Sequence, residues 1–199
     1  MFDSGITAKA VIDEVKMDID TAPDISDITY ISIINELEQF LYSSIILEQN
    51  EVKVDTNENR ICETPGVTGN DEIRFEDIAA IYAGGRVQLM KTTLATCDVL
   101  ENTYAKCGKN SFKYNLCDNM SDETTLRMVY YVRPVMKTSV NEKIMLPVEF
   151  ISLVKAKLRA EAYMIANEFN TASQWIIAYN TLLEHFKAYI AQHRPEVGV

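Results

Sequence analysis

Histidine and cysteine are the side chains most often recruited for chemistry, and this chain has two of the first and four of the second. His185 stands between Glu184 and the apolar Phe186. His193 falls where a helix should end, a place where an imidazolium favours the helix dipole. Neither has further ligands around it at metal spacing, so no metal site is expected. Cys62, Cys97, Cys107 and Cys117 are widely separated, with no Cys-x-x-Cys pair, which predicts free thiols and no zinc.

Oxygen ligands are densest at Asp118, Asn119, Ser121, Asp122 and Glu123, but the spacing is not that of an EF-hand loop and no glycine stands where one is required. A polar hairpin turn accounts for them. Gly84-Gly85-Arg86 has too little glycine for a phosphate cradle, and a strand pattern rather than a helix follows it. In Asp71-Glu72 and Glu76-Asp77 adjacent side chains point to opposite faces of a strand, so neither pair can flank a substrate. No nucleophile elbow, zincin or Walker sequence occurs. The ten tyrosines lack interleaved Lys and Arg and read as core rather than as base-stacking platforms. The expectation is a protein that is not an enzyme and holds no cofactor.

The elements that would position anything here are clearest in the last quarter of the chain. Val148, Ile151, Val154, Leu158, Ala162, Ile165 and Phe169 recur at three or four residues, one stripe of an amphipathic helix that has to be buried. A second stripe follows in Ala172, Ile176, Tyr179, Leu183, Phe186 and Ile190, widened by Trp175, Leu182 and Tyr189. Pro147 suits a first helical position. Thr171 with Gln174 can form a capping box, which puts the break between the helices near Asn170. So short a connection predicts an antiparallel pair.

The chain also opens on helices. Ala8, Val11, Ile12, Val15 and Ile19 share one face; Thr21 to Ile25 reads as a turn; Ser26 or Asp27 can cap a second helix bearing Ile28, Ile31, Ile34, Leu37, Leu41 and Ile45. Between the helical ends the period drops to two. Val52 and Val54 alternate with charges, Asn57 to Asn59 makes a turn, and Arg60 to Cys62 is the expected partner strand. Pro65 to Asn70 is a loop. Further strands are predicted from Ile73, over Arg86 to Lys91, over Phe112 to Leu116 and over Leu126 to Val132, while Leu94 to Tyr104 allows helix or loop. Helices, then strands, then helices is an α+β order: a helical bundle built from N-terminal and C-terminal helical hairpins, with an inserted antiparallel β-sheet of roughly four to six strands.

The 199 residues, 47% of them hydrophobic, fit one domain, with helical parts at about 6–47 and 147–192, the β insertion at about 50–134, and a flexible tail over 193–199. A net charge of −10 argues against a sequence-independent grip on nucleic acid. The charge is uneven. Residues 1–50 carry two lysines against ten carboxylates, whereas residues 134–199 carry seven basic and six acidic side chains. The acid belongs either to a solvated helix face or to a surface that meets a basic partner or repels DNA. With no basic-then-apolar leader and no eighteen-residue apolar run, the expectation is a soluble protein made in a reducing cytoplasm, not a membrane protein.

Four stretches carry a resemblance over nearly the whole chain: the opening amphipathic pair from Ile6 to Leu47; Ile73-Arg74-Phe75-Glu76-Asp77-Ile78 before Tyr82-Ala83-Gly84-Gly85; Val129-Tyr130-Tyr131-Val132-Arg133-Pro134; and Ile144-Met145-Leu146-Pro147-Val148-Glu149-Phe150. In this order they resemble the head-to-tail adaptor (connector) proteins of tailed bacteriophages, the neck ring proteins that include tail tubular protein A. The chain departs from familiar members by lacking a Trp- and Pro-rich segment before the last strands, where Asn102 to Lys113 stands instead.

The resemblance implies a structural virion protein of the neck: a ring, usually of twelve copies, beneath the portal protein, extending the DNA channel and joining capsid to further tail or neck proteins. Genomic DNA would pass through without sequence-specific binding. It also implies that the C-terminal tail, here His193, Arg194, Pro195, Glu196, Val197, Gly198 and Val199, reaches up between portal subunits as an extended peptide; an ordinary frayed terminus is the other reading of that tail. Two rivals stand beside the adaptor: another neck or tail-completion interaction protein of different stoichiometry, and a small ligand-binding or enzymatic α+β domain, which would need a deep pocket with converging polar groups.

Overall fold

In the computed structural model, residues 2–19, 25–65, 73–120 and 123–193 are described. The fold is α+β, with five α-helices and two four-stranded sheets among those residues. The chain divides into two units, each with its own core. One joins the two ends of the chain, Met1–Ile46 with Met136–Val199; the other is the middle, Leu47–Val135.

In the helical unit, α1 (Ala8–Asp18) starts where the Thr7 hydroxyl accepts the Ala10 N–H, and α2 (Asp27–Leu41) starts where Ser26 does the same for Thr29. Ser26, not Asp27, is the cap. Past Leu41 the helix loosens into a single π-helical turn, Tyr42–Ile46. At the other end, Pro147 opens a 3-10 turn, Val148–Phe150, rather than the α-helix itself, which is α4 (Ile151–Ile165). The helix α5 (Phe169–His193) begins two residues before Thr171, so the capping box expected there does not form the boundary. What ends α4 is Asn167 in the left-handed region (φ 60°). Its N–H donates to Met164 O (3.1 Å) and the Glu168 N–H to Tyr163 O (2.9 Å), the two bonds of a Schellman cap.

The helix faces pack as their periodicity requires over most of their length. Val11, Ile12, Val15, Ile34, Leu41, Leu153, Val154, Leu158, Phe186 and Ile190 share one core. The expectation that both terminal stripes are buried throughout does not hold: Val148, Ile165, Phe169 and Ile176 are exposed. Val148 precedes α4, Ile165 and Phe169 are the last residue of α4 and the first of α5, and Ile176 lies two turns into α5.

The middle unit departs further from expectation. Here β1 (Gln49–Asp55), β8 (Thr125–Tyr131), β3 (Ile78–Ala83) and β4 (Val87–Gln88) form one antiparallel sheet in that order. A second sheet runs β2 (Ile61–Glu63), β7 (Ser111–Asn115), β6 (Thr103–Lys106) and β5 (Met90–Thr92). The single antiparallel insertion is thus corrected to two sheets, and β5 pairs with β6 in parallel. The expected hairpin of β1 with β2 is not a ladder either, since each joins a different sheet. The run from Arg86 to Lys91 is broken at Leu89, which is buried and donates its N–H to Ile81 O (2.8 Å), so β4 and β5 part company there. Between β5 and β6 the ambiguous segment is a one-turn helix, α3 (Leu94–Cys97), capped by Thr93. Ile73 leads into a 3-10 turn, Phe75–Asp77, before β3 rather than into a strand.

Phe186 is fully buried and meets the Phe150 ring edge-on at 4.9 Å, whereas Phe169 on the same helix is exposed. Phe186→Ala is expected to cost about 3 to 5 kcal/mol in denaturant unfolding. Phe169→Ala, in dilute protein, should stay within about 0.5 kcal/mol. Equal effects would show the faces of α5 to be misassigned.

Candidate partner-binding site

The residues singled out for partner binding begin at the end of α5. His193 is exposed there, its Nδ1 2.9 Å from Tyr189 O and its ring stacked on Tyr189 at 4.1 Å. Tyr189 in turn meets Phe150 (5.0 Å), so an aromatic series fixes the direction in which α5 delivers the chain. Arg194 to Val199 lie outside the described residues, as do the turn over 21–24, the loop over 66–70, Asp71-Glu72, and Ser121 with Asp122. His185 is exposed on α5.

The other candidates are dispersed. Glu76 is exposed and paired with Lys106, while Asp77 is buried and paired with Arg133, so the two carboxylates do diverge. Gly84 and Gly85, both with positive φ, turn β3 into β4. A Cβ on Gly84 would stand 2.9 Å from a Glu123 carboxylate oxygen, a neighbour that repels an anion. Asp118 and Asn119 are exposed, on a 3-10 turn. Burial pushes the Cys62 thiol up to about 11, which leaves it no thiolate at neutral pH. Among the described residues no group of three His, Cys, Asp or Glu forms a metal set, and no helix is long and apolar enough to cross a membrane. A depression of about 650 Å³ beside Lys53, Asp55, Asn57 and Cys62 brings together no acid–base pair with an oriented nucleophile.

What sequence reasoning missed is a buried ion pair. Glu38 on α2 and Lys137, whose side chains are each 1% exposed, pair inside the helical unit. The other Glu38 oxygen accepts the Met145 N–H at 2.7 Å. Beside it the Asn35 side chain bonds both backbone groups of Lys137, accepting its N–H (2.8 Å) and donating to its O (2.9 Å). The same returning segment lies along the N-terminus, where Ser4 N donates to Ile144 O, Ile144 N to Ile6 O and Ala8 N to Glu142 O. A signal was present in the sequence. At about 100° per residue Glu38 falls between Ile31 and Ile34, inside the apolar arc of α2, where a carboxylate needs a cation.

The stretches that carry the resemblance are tied by such polar bonds. Arg133, two residues past β8, reaches Asp77 at 2.6 Å, which joins two of the quoted segments, and Asp77 also accepts the Arg74 N–H (3.3 Å). Met145, in a third, donates its N–H to Glu38 on α2. The N-terminal acid is likewise placed: Asp3 pairs with Lys143, Glu14 with Lys155 and Asp18 with Arg159. Part of the acidic excess therefore meets the basic residues of the C-terminal third, and the Lys143 ammonium holds the Asp3 carboxyl below its usual range.

Burial raises the Glu38 carboxyl above its ordinary value, against the opposing pull of Lys137 and Met145 N–H. A carboxyl raised in the folded state binds its proton more tightly there than in the unfolded chain. Its contribution is therefore full below the unfolded pKa and is lost as pH rises through the folded one. Lys137→Met removes the compensating cation, and is expected to cost about 3 to 5 kcal/mol near neutral pH and less on acidification toward pH 5. Adding Glu38→Gln should recover most of that loss, because Gln still accepts the Met145 N–H. A pH-independent cost in the single variant, read by urea unfolding, would mean that the carboxylate is not buried.

No protein-family model matches this chain and no curated protein matches it; what bears on its function is its own geometry and chemistry.

Proposed function

We propose that this chain is a structural subunit of a phage neck, a head-to-tail adaptor that forms a ring beneath the portal, extends the DNA channel and catalyses no reaction. The observation that carries the reading is the organisation of the chain. Its two ends combine into one helical unit and its middle makes a separate β unit, the order of pieces that the resemblance implies. On this reading the helical unit is a bundle of N-terminal and C-terminal helical hairpins into which the sheets are inserted.

The polar pins support it. Asp77–Arg133 and Glu38–Met145 give the quoted stretches structural work, as expected where the product is a shape rather than a reaction. The net charge of −10 suits a wall past which DNA slides. The partners proposed are further copies of the chain, the portal protein, and other neck or tail proteins, with localisation in the virion between capsid and tail.

Imaging of the virion neck with a label on this chain tests identity and symmetry together. The expected result is a ring on the portal axis; density elsewhere in the tail would replace the adaptor with a tail-completion protein. For the tail, deletion of residues 194–199 is expected to leave the unfolding midpoint unchanged while abolishing attachment to purified portal. Undiminished attachment would make the segment an ordinary terminus.

A further inference from the structure

Two sheet edges of the β unit face each other without pairing. At the two ends of the β1–β8 ladder Glu48 O accepts the Val132 N–H and the Thr56 N–H donates to Thr124 O, so the even-numbered residues of β1 make the bonds to β8. The N–H and C=O groups of Glu51, Lys53 and Asp55 therefore point away from β8. On β2 the bonds to β7 fall at Arg60 O and Thr64 N–H, and the main-chain groups of Ile61 and Glu63 point away from it. The Asp55 C=O accepts the Cys62 thiol at 3.2 Å, so the outer edge of β1 looks toward β2.

The turn closes one end of the gap between these edges. The Asn57 side chain accepts the Ile61 N–H (3.1 Å) and donates to the Ile61 C=O, taking both places that a neighbouring strand would fill. Beyond that pin the edges part, and the space between them is the depression of about 650 Å³. Among the described residues no hydrogen-bond partner takes the Asp55 N–H, either main-chain group of Lys53, or either of Glu63. The side chains alternate as strand positions do. Val54 and Cys62 are buried, whereas Lys53, Asp55 and Glu63 are exposed. Counted two residues outward from the Asn57–Ile61 pin, Asp55 and Glu63 are level with each other, one carboxylate on each wall.

We infer that the gap between β1 and β2 receives an extended, Lys- or Arg-bearing segment of another protein, which pairs as a strand with both edges. The main chain chooses the conformation of the occupant: only an extended backbone offers N–H and C=O on both of its sides at strand spacing. The walls choose its side chains. Small apolar residues on one face would lie against Val54 and Cys62, and a cation on the other would stand between Asp55 and Glu63. A second copy of the chain is a poor occupant, because it would bring the same carboxylates and a further net charge of −10. Nucleic acid meets the same repulsion. Nothing in this contact requires the adaptor reading.

The test is the binding of a fluorescein-labelled heptapeptide of alternating Lys and Val to the purified full chain, followed by anisotropy. Saturable binding is expected. A Lys-Pro peptide of equal charge, which lacks donors at alternate positions, and a Glu-Val peptide should each bind about tenfold or more weaker. In the chain, Lys53→Pro removes an N–H that no bond to β8 uses, a substitution that an edge strand accepts. It should weaken the Lys-Val peptide about tenfold or more with unchanged circular dichroism, although loss of a cation would by charge alone tighten it. Asp55→Lys with Glu63→Lys should transfer the preference to the Glu-Val peptide. Absence of saturable Lys-Val binding overturns the inference. So does equal binding of the Lys-Pro peptide, which would be a contact of charge only, or a folded Lys53→Pro that binds as the wild type does. Should Lys53→Pro fail to fold, the Lys-Pro comparison decides the same point.

Discussion

The pairing of Glu38 with Lys137 is the constraint on which the helical unit depends. The chain leaves that unit at Ile46 and re-enters it at Met136 after the whole β unit has been made, so two distant stretches have to find each other in one register. Apolar contact alone tolerates sliding. A buried carboxylate does not, because moving it away from its cation leaves a charge in a medium that solvates it poorly. Asn35 adds a second condition: by bonding both the N–H and the C=O of Lys137 it treats that residue as a neighbouring strand would. The clasp thus fixes where Met136 to Leu146 lies. That segment in turn brackets residues 4 to 8 and delivers Phe150 to the aromatic series at the end of α5.

Helix existence and helix faces were legible because they depend on neighbours three and four residues away, as in Ser26 capping α2 or Leu158 and Phe186 entering the core. Strand partnership was not. The residues β1 and β2 present are ordinary strand formers joined by a turn, and nothing within that stretch says that each pairs instead with a strand about fifty to eighty residues on. The parallel pairing of β5 with β6 was hidden for the same reason, since it depends on Leu89 breaking one run and α3 reversing the next. Of the candidate site, His193 could be placed at a helix end from sequence. The Glu38 carboxylate was visible as an anomaly, but its cation, 99 residues away, was not.

The uneven charge of the sequence is resolved in a similar way. Acid concentrated near the N-terminus and base near the C-terminus need not be a signal to an outside partner when the two regions fold together. Lys155 and Arg159 extend from α4 to Glu14 and Asp18 of α1, so helices distant in sequence carry complementary charge. Each of these pairs keeps its carboxylate half in water and contributes little to stability, on the order of 0 to 1 kcal/mol. Their effect is on which helix lies beside which, since the alternative neighbours would bring like charges together.

These features act together on α5. At 25 residues the helix is about 37 Å long, and its C-terminal half is held by the shared core and by Phe150. Along the other half α4 covers one edge, and Arg159 lies over the Trp175 ring at 4.6 Å. The exposed line of Phe169 and Ile176 is therefore carried on a helix already formed and already braced, not on a loop that must order when something binds. The backbone entropy of that surface has been lost in folding. The aromatic anchor thus holds the half of α5 that enters the core, and the exposed half continues from it as the same helix.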